Sequence, residues 1–245
     1  MQSTRVAILG VDVGGTFTDA VLLDDDGGLR TAKVPTAARQ EESVLAAARA
    51  VGAEAVSRFA HGTTVATNAL LERRGARTAY VGNAGFEHLL HLRRQTRAHL
   101  YRLCAAHPEP LVPLERCHGV RGRVGPDGEL EPLDLDTLPD LGDAEAAAVC
   151  LLFSFRDPGH ERAVADELRR RHPGVHVVAS HEVAPEFREY ERASTTAADA
   201  YLGPVAARYL RALAAAARGE GLPEESMTSG SGSPSPLAAA ASARR

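Results

Sequence analysis

The stretch Gly10-Val11-Asp12-Val13-Gly14-Gly15-Thr16-Phe17-Thr18-Asp19 decides how this chain folds. The apolar run from Val6 to Val13 suits a buried strand, and Phe17 to Leu23 reads as a second strand. A Gly-Gly-Thr turn between two strands leaves backbone N–H groups unpaired and pointing outward. Without a Cβ, Gly14 and Gly15 let a phosphate come within hydrogen-bonding distance of that backbone. The hydroxyls of Thr16 and Thr18 are candidate extra donors. Asp12, at the strand end, is the candidate Mg²⁺ ligand and a candidate catalytic carboxylate, since magnesium bound with phosphates takes one or two carboxylates. The spacing is not that of a Walker loop, which needs GxxxxGK[ST] before a helix. It is not a dinucleotide fingerprint either, because a strand follows. A plain hairpin needs glycine to turn, but it does not need Asp, Thr and Thr so placed.

Working outward, Asp24-Asp25-Asp26-Gly27-Gly28 is a turn, and Leu29 to Val34 returns as a third strand. Glu41 to Val51 carries alanine and leucine at helical spacing, so the opening reads β-β-β-α. A short strand near Ala55 to Phe59 leads into His61-Gly62-Thr63-Thr64, and a helix from Val65 to Arg74 closes at Gly75. Beyond it come a strand at Thr78 to Val81, a helix at Phe86 to Arg93 and an irregular stretch from Arg97 to Pro113. A hairpin spans Val120 to Leu133, a strand Ala146 to Phe153, a helix Pro158 to Arg171 and a strand Val175 to Ala179. Tyr190 to Arg218 is helical, with Gly203-Pro204 expected to kink it.

The second chemical signal is His61-Gly62-Thr63-Thr64. Gly62 frees the backbone just before a helix, and Thr63 or Thr64 can cap it. A helix N-terminus with hydroxyls is a natural anion site. His61 has the chemistry of an acid, base or donor near neutral pH, although a lone histidine in a turn is more often a structural hydrogen-bonder. Arg94 and Arg97 sit in the irregular stretch and supply fork-shaped donors for a carboxylate or a pair of carbonyls, which makes them candidate substrate-binding residues. Glu186, Glu189 and Glu191 with Arg188 and Arg192 read as helix-surface pairing.

The bulk properties exclude much. A net charge of −4 gives no general pull toward nucleic acid or an anionic membrane. No apolar run reaches the roughly 18 to 20 residues of a membrane span. Lys33 is the only lysine, so no other lysine can serve as a phosphate clamp or Schiff-base amine. Cys104, Cys117 and Cys150 are far apart, lack a CxxC pair and read as reduced thiols of a cytoplasmic protein.

DxGGTxTD after an apolar strand resembles the first phosphate loop of the actin-like ATPase superfamily. HGTTVATNALLERRGA, from His61 to Ala76, closely resembles the hydantoinase A/oxoprolinase family. Gly85-Phe86 through Arg94-Gln95-Thr96-Arg97 to Leu100-Tyr101 resembles the same family, as does Ser180 to Arg192 running on to Tyr201-Leu202-Gly203-Pro204. The resemblance implies an α/β fold: a ribonuclease-H-like first lobe with a mixed sheet and flanking helices. It implies ATP and Mg²⁺ as cofactors, a small cyclic amide such as a hydantoin or 5-oxoproline as substrate, and a hydantoinase B-like second subunit as partner. Ring opening would proceed through phosphorylation of the carbonyl oxygen. Gly14, Gly15, Thr16, Thr18, Thr63 and Thr64 would hold the nucleotide, with Asp12 and His61 catalytic. A carboxylase subunit, a non-catalytic remnant or a sugar or acyl kinase are the alternatives.

These readings place one domain over residues 5–204 with an insertion at about 93–135, then a helix over 205–226. The family's second glycine loop follows an MQSxGG stretch. Met227-Thr228-Ser229-Gly230-Ser231-Gly232 begins something similar, but residues 227–245 turn into a Ser-, Gly-, Pro- and Ala-rich tail that cannot bury enough apolar surface to order itself. The expectation is that the second lobe is absent and ATPase activity weak.

Overall fold

The structure is a computed structural model, and it describes residues 7–53, 56–102 and 104–222. The Ser/Gly-rich stretch and the MQSxGG-like segment lie outside the described residues. Where the sequence suggested one domain with an insertion, the chain divides into two compact units. Among the described residues, one takes those up to Glu72 together with those from Val205 to Leu222, and the other those from Arg73 to Pro204.

The first unit opens with β1 (Ala7–Val13), β2 (Phe17–Leu23) and β3 (Leu29–Pro35), followed by α1 (Gln40–Ala50), β4 (Val56–Thr63) and α2 (Val65–Leu71). The sheet order is β3-β2-β1-β4, with β1, β2 and β3 antiparallel and β4 parallel to β1. This is the expected β-β-β-α opening. Because side chains alternate along a strand, Leu9, Val11 and Val13 face the core while Asp12 faces the other side. Leu9, Leu22, Val44 and Phe59 are fully buried and pack against Leu213 and Ala217 of the last helix. Burying each such side chain contributes about 1.5–3 kcal/mol.

The second unit contains β5 (Thr78–Asn83), α3 (Leu89–Leu92), β6 (Cys117–Gly125), β7 (Gly128–Asp134), β8 (Ala146–Val149), α4 (Gly159–Arg171), β9 (His176–Ala179) and α5 (Ser180–Val183). Its sheet runs β7-β6-β5-β8-β9, parallel except for the β6–β7 hairpin. The central strands β5 and β8 are buried throughout, as a parallel sheet covered on both faces requires. Ala147 and Val149 meet Leu168 of α4 on one face. Ala146 and Ala148 meet Ala193, Ala197 and Ala200 of α6 (Glu189–Gly219) on the other. The alanines let helix and sheet approach closely. Helix α6 runs continuously through Pro204, and the boundary between the units falls at that residue.

Several local expectations shift. Helix α2 stops at Leu71, short of Arg74, and the left-handed residue after it is Arg73 (φ 54°). Gly75 is small for a different reason: a Cβ there would stand 2.1 Å from the Tyr201 ring. The helix expected over Phe86 to Arg93 is only the single turn of α3, and the strand expected over Ala146 to Phe153 ends at Val149. His61 lies within β4 and not in a turn. Arg192 is the largest correction. Expected on a helix surface, it is 1% exposed.

Candidate functional site

The β1–β2 turn is held from inside and open outside. The Gly14 amide donates to the Phe17 carbonyl at 3.0 Å, and a Cβ on Gly14 would come within 2.9 Å of that oxygen, so turn geometry alone demands this glycine. Gly15 differs, because a Cβ there would meet nothing within 4 Å. The amides of Gly15 and Thr16 find no acceptor among the described residues, and both residues are exposed. Open space above two unspent donors is what an anion needs.

Thr36, just past β3, braces the turn. Its amide donates to the Thr16 carbonyl at 2.9 Å, and its hydroxyl donates to the Gly14 carbonyl at 3.0 Å. A hydroxyl has one proton, so in the 3.0 Å contact between the Thr18 and Thr36 hydroxyls it is Thr18 that donates. Thr18 is fully buried. Its hydroxyl is spent on Thr36, where the sequence suggested a phosphate donor.

Asp12 is exposed on the open face of the sheet, opposite Asp19 on β2 and Gly62 on β4. A Cβ on Gly62 would stand 2.8 Å from an Asp12 carboxylate oxygen, so Gly62 makes room for that side chain. Asp19 also pairs with Lys33 at 2.8 Å. Two carboxylates side by side on neighbouring strands repel unless a cation shares them.

His61 is opposite Val11 in the register, which sends its ring to the core face, away from Asp12. There it stacks near Phe59, with ring centroids 6.1 Å apart, and its Nε2 is 2.6 Å from the Tyr209 hydroxyl on α6. Burial lowers its pKa, opposed in part by the Val11 carbonyl and the Asp12 carboxylate. Burial pushes the Tyr209 phenol up to about 12, so the phenol keeps its proton. The structure therefore does not bring Asp12 and His61 together as one catalytic pair.

Thr63 accepts from the Val65 amide at 3.2 Å in a local turn; Thr64, the N-cap of α2, makes no side-chain cap bond but donates to the Val13 carbonyl at 3.4 Å and accepts from Asn68 at 3.2 Å. The β4–α2 corner is thus tied to the end of β1 beside the glycine turn. Arg94 and Arg97 belong to the other unit. Arg94 is bound to Glu191 at 2.5 Å, whereas Arg97 is exposed and has no partner among the described residues.

Sequence reasoning missed Thr36 and Tyr209. Neither belongs to a motif, and only strand pairing and helix packing bring them to the turn and to His61. It also missed a buried network in the second unit. The fully buried Glu161 carboxylate accepts from the Leu151 and His181 amides, the Ser180 hydroxyl and the His181 ring, all between 2.7 and 3.0 Å. Arg192 donates to the Ser180 hydroxyl and to the Glu186 and Leu151 carbonyls. Burial raises the Glu161 pKa, but the hydrogen bonds from His181, Leu151 and Ser180 outweigh it and leave the group below the ordinary carboxylate range. Burial likewise pushes the Cys117 thiol up to about 12 and the Cys150 thiol up to about 11, so both stay protonated.

A mixed α/β fold that opens as a ribonuclease-H-like hairpin pair, with an open glycine turn at its first corner, defines the class of protein. The model of the hydantoinase/oxoprolinase N-terminal region matches residues 8–172, and the chain belongs to that family. It is 34% identical over 222 residues to the caprolactamase subunit alpha of Pseudomonas jessenii, covering 82% of this chain and 32% of that one. It is 28% identical to the acetone carboxylase beta subunit of Xanthobacter autotrophicus, covering 80% of this chain and 32% of the relative. The crystal structure of the ATP-dependent caprolactamase from P. jessenii superposes with a TM-score of 0.78 at 32% identity, covering 89% of this chain and 34% of that one. Nucleotide-free acetone carboxylase superposes with 0.77 at 25% identity, covering 89% and 35%. The chain therefore spans about a third of the length of these relatives. No described helix is long and apolar enough to cross a membrane.

Proposed function

We propose that this chain carries the first phosphate-binding turn of an ATP-dependent enzyme that opens a cyclic amide. The observation that carries the reading is the pair of unspent amides at Gly15 and Thr16 under open space. The residues fit the cofactors. Gly15 and Thr16 would take phosphate oxygens, and Asp12, with Asp19 next to it, would hold Mg²⁺ directly or through water. Bound there, the nucleotide supplies a phosphoryl group that turns a resonance-stabilised amide oxygen into a leaving group. The chain's own contribution is positioning and neutralisation of charge. His61, neutral and committed to Tyr209, serves as a strut in this reading and not as the acid or base. Arg97, exposed and without a partner among the described residues, would be a cation for a substrate carbonyl or carboxylate.

Ring opening is put first because a lactam is a cyclic amide; identity does not rank it above carboxylation, since the caprolactamase subunit and a carboxylase subunit each share 34% with this chain. The acetophenone carboxylase gamma subunit of Aromatoleum aromaticum, 34% identical over 226 residues, supports carboxylation as the second reading. The subunit names of these relatives support a partner subunit for this chain too. The test is titration of the ¹⁵N-labelled chain with Mg–ATP. The expected result is amide shifts concentrated at Gly14 to Phe17 and Gly62 to Val65. Shifts elsewhere only, or none at millimolar ATP, would sink the phosphate assignment.

A further inference from the structure

We infer that Thr36 is the positioning residue of the glycine turn: its hydroxyl pins the Gly14 carbonyl inward and so holds the Gly15 amide outward, while its own amide anchors the Thr16 carbonyl beside it. This rests on the phosphate reading of the turn and adds a residue that no motif marks. The peptide planes make the argument. The carbonyl of Gly14 and the amide of Gly15 belong to one rigid plane and point in opposite directions. The Thr36 hydroxyl takes the Gly14 carbonyl at 3.0 Å, which fixes that plane with the Gly15 N–H turned away. The Thr36 amide takes the Thr16 carbonyl at 2.9 Å and so anchors the far side of the turn. Gly15 itself has no Cβ and no neighbour to restrain it, so without the clamp its plane is free to rotate. Preorganised donors bind an anion better because the ordering cost has been met in folding. Thr18 completes the device. Its buried hydroxyl donates to the Thr36 oxygen and leaves the one Thr36 proton no partner but Gly14.

Four variants of the full chain separate positioning from stability. Thr36→Val keeps the shape and the backbone amide but removes the hydroxyl. Thr36→Ser keeps the hydroxyl. Thr18→Val/Thr36→Val also removes the buried donor that Thr36→Val strands. Thr18→Val alone is the control. Mg–ATP affinity is expected to fall about tenfold in Thr36→Val, the equivalent of one hydrogen bond, and to return in Thr36→Ser. The double variant should regain melting temperature but not affinity. In the absence of nucleotide, the Gly15 and Thr16 amide resonances should move or broaden in Thr36→Val and in the double variant. Two outcomes would overturn the inference: unchanged Gly15 and Thr16 resonances in Thr36→Val, or affinity that recovers along with stability in the double variant. If the wild-type chain shows no response to Mg–ATP, it is the phosphate reading that fails. The nucleotide-free resonances then still decide whether the clamp exists.

Discussion

Two places in the molecule treat polar groups in opposite ways. In the second unit, Glu161, Ser180 and Arg192 are sealed from solvent and their hydrogen bonds are made within the protein. In the first unit, the glycine turn leaves two donors unmet and exposed. A buried polar group without a partner costs about 1–3 kcal/mol, so full satisfaction is what architecture demands. An exposed unmet donor costs almost nothing in water and gains when an anion arrives. Chemical richness is therefore a poor guide to function here. The denser cluster of charges is satisfied within the protein, and the sparse turn is the proposed site.

The largest expected effect tests the scaffold side of this contrast. Glu161→Ala should destabilise the chain by about 3–5 kcal/mol, because it strands the His181 and Arg192 side of a buried network. Urea unfolding measures it, and a loss below about 1 kcal/mol would mean the network is not structural. Next, Gly15→Val should weaken Mg–ATP binding about 10- to 100-fold with little change in melting temperature, since a Cβ at this position meets no protein atom within 4 Å and the side chain would take the space a phosphate needs. Calorimetric titration decides that; a large stability loss with intact binding would reverse the roles assigned to the two regions.

The pH dependence sharpens the comparison. The folded Glu161 pKa lies below its ordinary value, so its contribution is fully present above the unfolded pKa of about 4.3 and is lost as pH falls through the folded value. Unfolding free energy followed from pH 7 down to pH 3 should drop mainly below about pH 4.3, and Glu161→Gln should flatten that drop. The smallest effect belongs to Lys33→Met. Its pair with Asp19 is half-exposed, so stability should change by less than about 1 kcal/mol. A larger loss in thermal melting would show that the open face carries more of the fold than the turn's exposure suggests.

Much of the first unit could be read directly from the residues. The apolar run from Val6 to Val13, the strand from Phe17 to Leu23 and the Gly14-Gly15 turn between them define a hairpin whose partners are local, and the β-β-β-α order follows from short connections. The same locality marked Asp12, Gly14, Gly15 and Thr16. Thr18 misled because its spacing from Thr16 matches a donor on the loop, while the strand's period of two turns it into the core. His61 misled for a related reason: where β4 ends decides which face the ring takes, and no local signal gives that end.

The sequence by itself determined the strand–glycine turn–strand opening and the family, because both are written in contiguous residues. Tertiary structure alone decided that Arg192 is buried, that Asp12 and His61 part to opposite faces, and that Thr36 and Tyr209 brace the turn and His61. These depend on register and packing between residues as far as 148 positions apart. A hydrogen bond across that distance is set by how the sheet and α6 pack, and a linear pattern carries no record of it.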